Sequence, residues 1–260
     1  MVETIGSFAA LGDSFTEGLN DVGPGGVYLG WADRTAEVLA AQVADFRYAN
    51  LAVRGKRVNE VLAEQIGPAI AMSPDLVSLA AGGNDILRRA DVDDLAALFD
   101  SCVAQLRAVG CRVLIFTGFD PPRAFPIIRM LRGRIAAYNM HLRAIADERG
   151  CDLVDLWSMR VLCDPRAWSE DRLHLTSESH RRVARRACEV LGVTGKDEQG
   201  PGEDWRSPLP AASRQSWLAT HRQDVRWARE HALPWLNRRL RNASSGDGVG
   251  PKRPELLPVR

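Results

Sequence analysis

The chain has 260 residues, of which 45% are hydrophobic and 26% charged, with a formal net charge of +1. This length suits one α/β domain plus an additional segment, and so balanced a charge gives no bulk electrostatic basis for binding nucleic acid or a membrane. No apolar run approaches the roughly 20 residues that span a bilayer, the N-terminus lacks the basic and apolar regions of a signal peptide, and five cysteines without a C-x-x-C pair fit reduced thiols, so a cytoplasmic location is expected.

From the N-terminus to residue 193, two patterns alternate. Short apolar runs, "SFAAL", "YANLAV", "DLVSLAA", "RVLIFTG" and "DLVDLW", read as buried parallel strands. Between and after them, "GWADRTAEVLAAQVA", "RVNEVLAEQIGPAIA", "DVDDLAALFDSCVAQLRAVG", "RGRIAAYNMHLRAIADERG" and "SESHRRVARRACEVLG" carry apolar residues at helical spacing. Strand–helix alternation predicts a mainly parallel sheet with helices on both faces. Residues 194–213 are rich in Gly, Pro and charge and predict a linker or surface loop. Residues 214–241, with several tryptophans and arginines, predict a C-terminal helical extension whose tryptophans cover the domain body rather than a membrane or partner. Residues 242–260, "NASSGDGVGPKRPELLPVR", predict a disordered tail.

In such folds sites gather at the carboxyl ends of strands, and four stretches there carry chemistry. After the first strand, "LGDSFTEGL" holds Ser14, which suits either a helix-capping role, with Glu17 three residues on, or a nucleophile. Gly55 follows the second strand and gives a main-chain N–H with no side chain in front of it. In "LAAGGNDIL", Asn84 offers an amide N–H₂ to a developing oxyanion, or forms an ordinary turn. In "WSEDRLHLTSESHRRVA", Asp171 and His174 stand three apart, so that a carboxylate can hold an imidazole through Nδ1 and leave Nε2 to take a hydroxyl proton; a surface ion pair is the alternative.

Taken together, Gly12-Asp13-Ser14, Gly55, Gly82-Gly83-Asn84-Asp85 and Asp171-Arg172-Leu173-His174 resemble the blocks of the SGNH hydrolase superfamily, also called the GDSL family, over residues 5–193. The resemblance implies a three-layer α/β/α sandwich on a five-stranded parallel sheet, a flavodoxin-like arrangement, here with the C-terminal helical extension. It implies Ser14 as nucleophile, His174 as base and Asp171 as acid, with an oxyanion hole from the Ser14 and Gly55 N–H groups and the Asn84 side chain. Asp13 and Asp85 are read as loop organisers, and His180 as a helix-face residue that packs locally. The expected activity is hydrolysis of small or water-soluble carboxylic esters, short-chain acyl or acetyl esters favoured, with no metal or organic cofactor. Acyl transfer to sugars or other alcohols, lysophospholipase or thioesterase activity, and a non-catalytic binding module are the alternatives. Phe125, Ile127, Ile128 and Met130 in "DPPRAFPIIRMLRG" are candidate acyl-pocket residues. The expected partner is a small ester molecule, without nucleic acid or membrane.

Overall fold

A computed structural model describes residues 4–193, 204–210, 226–227, 229–230, 234 and 244–259. Strand β1 (Ser7–Gly12) leads into a single-turn helix, α1 (Ser14–Glu17). Helix α2 (Gly30–Ala40) precedes β2 (Arg47–Asn50). Helices α3 (Val58–Val61) and α4 (Gly67–Met72) are joined through a π-helical turn at Leu62–Ile66 and deliver the chain to β3 (Leu76–Ala80). Then come α5 (Gly83–Leu87), α6 (Val92–Ala108), β4 (Arg112–Phe116), α7 (Pro126–Arg129), α8 (Arg132–Arg149), β5 (Asp152–Val154) and α9 (Ser177–Leu191). A last strand, β6, covers Arg253–Pro258.

The sheet order is β5-β4-β3-β1-β2-β6, with β1 to β5 parallel and β6 antiparallel to β2. Five near-continuously apolar strands are buried because helices cover both faces. Phe8, Trp31, Leu39 and Val183 belong to one layer of core, and Leu11, Phe99, Leu114's neighbours Val113 and Ile115, and Leu142 to the other. From β1 the chain crosses to β2 on one side and then to β3 on the other, so a crevice opens above the carboxyl ends of β1 and β3. There the two backbones nearly touch: a Cβ on Gly12, whose φ is +141°, would stand 2.2 Å from the Ala80 carbonyl oxygen, so only glycine fits.

The tail expected to be disordered is instead ordered from 244 to 259. Composition misleads here because β6 is held by long-range main-chain pairing (Arg47↔Pro258, Tyr48↔Leu257, Asn50↔Arg253) and not by its own apolar content. The prolines at 254 and 258 are tolerated because β6 is an edge strand. The expected helical extension, 214–241, lies outside the described residues apart from Arg226, Trp227, Arg229, Glu230 and Pro234. In the expected linker, the described 204–210 piece lies against α9, where Trp205 donates to Glu189 and is covered by the guanidinium of Arg206 at 4.1 Å. Among the described residues all five cysteines are free thiols, no cluster of potential metal ligands occurs, and no helix is long and apolar enough to cross a membrane.

Candidate active site

Ser14 opens α1, directly after β1. Asp13 caps that turn: its Oδ1 accepts the Phe15 N–H at 3.0 Å. A one-turn helix has little stability of its own, because fixing its dihedrals gains few hydrogen bonds, so its position is imposed from outside. Asn50 donates to the Thr16 carbonyl at 3.0 Å. The buried Glu17 carboxylate accepts from the Arg54 N–H at 2.8 Å and pairs with the Arg54 guanidinium. Gln65 binds both main-chain groups of Gly12, at 2.8 and 2.9 Å.

His174 and Asp171 come from the loop before α9. His174 Nε2 lies 2.9 Å from Ser14 Oγ, and His174 Nδ1 lies 2.6 Å from Asp171 Oδ2. The three-residue spacing works through a tight turn in which Arg172 takes φ +58° and Asp171 Oδ1 accepts the N–H groups of Leu173 and His174, both at 3.0 Å. Asn20 donates to Asp171 Oδ2 at 2.7 Å, and the Trp227 indole N–H donates to the Asp171 carbonyl at 2.9 Å. Burial alone would raise the Asp171 carboxyl, but the hydrogen bond and charge of His174, with the two main-chain donors, hold it at about 2. It is therefore ionised across the neutral range.

The Asn84 amide donates to Asp13 Oδ2 and to the Lys56 carbonyl, both at 3.0 Å. It thus bridges the residue before Ser14 and the residue after Gly55, whose φ is +77°. Both its N–H groups are engaged there, one by Asp13 and one by the Lys56 carbonyl. Burial pushes the Asp13 carboxyl up to about 6, against its main-chain hydrogen bond from Phe15. Asp85 accepts the Val58 N–H at 3.2 Å and ties α5 to α3. His180 is buried in α9 with its ring stacked on Phe15, centroids 6.3 Å apart. Its ring nitrogens have no partner among the described residues, and burial drives the imidazole down to about 3.

Beside Ser14 and His174 opens a cavity of about 180 Å³ with mostly apolar walls, including Phe119, Ile128, Leu131, Ile135, Tyr138 and Trp168. Of the four sequence candidates, Ile128 lines it. Phe125 is buried and packs on Trp168 at 6.3 Å, whereas Ile127 and Met130 are 53% and 80% exposed and lie outside the lining. Ile135, Tyr138 and Leu142 of α8 were not foreseen as lining residues: their helical spacing reads the same whether the face meets core or cavity. Gln65 and Asn20 carry no local signal, since their partners lie 53 and 151 residues away.

The model of the GDSL-like Lipase/Acylhydrolase family matches residues 10–182. Among solved structures, the acetylxylan esterase Axe2 from Geobacillus stearothermophilus is similar with a TM-score of 0.61 at 22% identity, covering 74% of this chain and 98% of that one. TesA is similar with a TM-score of 0.59 at 24% identity, covering 71% and 97%. At these identities the likeness concerns the fold, and it extends to the α/β/α sandwich described above. No curated protein matches the chain.

Proposed function

The chain belongs to the GDSL-like lipase/acylhydrolase family, the SGNH hydrolases, and from that membership we propose that this ester hydrolase works through an acyl-enzyme on Ser14. The observation that carries the reading is the unbroken line of contacts from Asp171 Oδ2 to His174 Nδ1 and from His174 Nε2 to Ser14 Oγ, at 2.6 and 2.9 Å. Ser14 Oγ attacks the ester carbonyl as His174 Nε2 takes its proton. The ionised Asp171 keeps the imidazole in the tautomer that accepts at Nε2 and stabilises the imidazolium. The oxyanion is received by the Ser14 and Gly55 N–H groups and by Asn84, which exchanges one of its present acceptors for it. Collapse expels the alcohol with the proton from His174, and a water activated by the same base releases the acyl group. The residues named for this need no metal or organic cofactor.

The acyl side of the substrate enters the apolar cavity. A cavity of about 150 Å³ takes a benzene ring, so the one here accommodates an acyl chain of roughly six to eight carbons. This extends the short-chain preference read from sequence: acetyl esters fit but leave the pocket underfilled. Axe2 is an acetylxylan esterase, and acetylated xylo-oligosaccharides therefore belong in the assay. The test is a panel of soluble esters from acetyl to dodecanoyl, with a thioester and an added alcohol acceptor, run beside covalent labelling by a fluorophosphonate. Labelling at Ser14, with activity lost in Ser14→Ala, is expected. A Ser14→Ala variant that retains full hydrolysis refutes the mechanism.

A further inference from the structure

Lys252 lies 70 residues beyond the end of the family match at residue 182, at the entry to β6. Its side chain is 14% exposed, and the three N–H groups of its Nζ are shared among four acceptors: the Glu17 carbonyl at 2.6 Å, the Tyr28 carbonyl at 2.9 Å, the Leu29 carbonyl at 3.0 Å and Asp33 Oδ2 at 2.6 Å. Those acceptors belong to two helix ends. Glu17 closes α1, three residues after Ser14, while Tyr28 and Leu29 precede α2 and Asp33 stands in its first turn. The two ends meet backbone to backbone: a Cβ on Gly18 would fall 2.6 Å from Gly30 Cα.

The C-terminal end of a helix leaves main-chain carbonyls without intrahelical partners, and Lys252 supplies a donor to the one at Glu17. The whole of α1 is one turn, with Ser14 and Glu17 as its first and last residues. A shift at Glu17 therefore becomes a shift at Ser14, and the 2.9 Å contact to His174 has no slack to absorb it. The same tail reaches the other half of the site. A Cβ on Gly55 would fall 2.2 Å from Ser244 Oγ, and one on Gly246 would fall 2.0 Å from the Arg54 carbonyl oxygen. The tail thus packs closely on the loop that carries the Gly55 N–H.

We propose that Lys252 is a positioning residue for the reaction at Ser14, its ammonium clamping the nucleophile's turn. This rests on the esterase reading above. A plain structural strut would show only in stability. A positioning residue shows in kcat, because a misplacement of about 1 Å at a reacting group costs on the order of a hundredfold.

The experiment compares Lys252→Met and Arg253→Ala in the full chain, each assayed well below its melting temperature with the folded fraction measured by near-UV circular dichroism. Arg253 anchors β6, its guanidinium donating to the Tyr48 carbonyl at 2.7 Å and to the Leu257 and Pro258 carbonyls, so its variant reports loss of strand anchoring. Lys252→Met is expected to lower kcat per folded molecule by roughly ten- to a hundredfold, with KM within about twofold, and to slow fluorophosphonate labelling of Ser14 by a similar factor. Arg253→Ala is expected to melt earlier with kcat unchanged. An active parent with Lys252→Met within twofold of its kcat overturns the clamp and leaves the esterase reading standing. A parent that neither hydrolyses esters nor labels at Ser14 overturns both.

Discussion

Replacing Asp171 by asparagine tests the geometry at its most constrained point. The carboxylate receives four hydrogen bonds: Oδ1 from the Leu173 and His174 main chain, and Oδ2 from His174 Nδ1 and Asn20 Nδ2. An asparagine keeps one acceptor oxygen and must turn its N–H₂ toward one of these pairs. Facing the backbone, it would strand two main-chain N–H groups, at about 1–3 kcal/mol each. Facing the side chains, it leaves the turn intact and meets His174 Nδ1, which can then pair only by losing its hydrogen. The second arrangement wins, and it moves the imidazole proton to Nε2, where it can no longer accept from Ser14. Loss of the correct tautomer in a triad of this kind lowers kcat by roughly 10⁴-fold. Asp171→Asn is therefore expected to lose roughly 10³- to 10⁴-fold in kcat on a soluble ester, with a melting temperature close to that of the parent because the turn survives. Steady-state kinetics beside a thermal melt decide it. A folded Asp171→Asn within tenfold of parental kcat refutes the tautomer argument.

Asn84→Ala is expected to lower kcat by roughly a hundredfold or more with KM nearly unchanged, since a donor to the oxyanion acts as charge develops; a fall in melting temperature at parental kcat assigns Asn84 to the turn alone. Ile128→Phe narrows the cavity and is expected to shift the preferred acyl chain toward acetyl, whereas the exposed Met130→Ala leaves the profile as it was; an ester panel on both variants checks this. His180 predicts a pH dependence of stability. Its pKa is about 3 in the folded chain, against about 6.5 when unfolded, so between those values the unfolded chain binds the additional proton. The stability contribution is complete above pH 6.5 and declines as pH falls toward 3. Denaturant titrations of the parent and His180→Phe from pH 7 to 4 are expected to show the parent losing stability relative to the variant with acid; a pH-independent difference contradicts the burial argument.

The sequence disclosed the site better than its surroundings. The meeting of Ser14, His174 and Asp171, at 2.9 and 2.6 Å, was legible because the Asp-x-x-His spacing closes a turn by local hydrogen bonds. The five parallel strands were legible because burial on both faces leaves near-continuous apolar runs. The sixth strand was not, since β6 owes its place to the open edge of β2 and to the acceptors that Lys252 finds between Glu17 and Asp33, none of which is recorded in "KRPELLPV". The cavity was half legible. Ile128 was named beside the exposed Ile127 and Met130 because three neighbouring apolar residues cannot be sorted until the helix axis is fixed. Gln65, which pins Gly12, looks like any polar residue on a helix, and its role follows from the π-helical turn that aims it inward.

The antiparallel pairing of β6 with β2 also fixes an order of events during synthesis. Lys252 and the Glu17 carbonyl it binds are separated by 235 residues, and at roughly 5–20 residues per second the ribosome needs some ten to fifty seconds to span that distance. The five parallel strands can associate as they emerge, while the edge of β2 has no partner until β6 leaves the exit tunnel. For that interval the nascent chain presents a row of open N–H and C=O groups to its neighbours on the polysome, the condition under which strands of different chains join. Closure of the β2 edge therefore waits on the synthesis of β6.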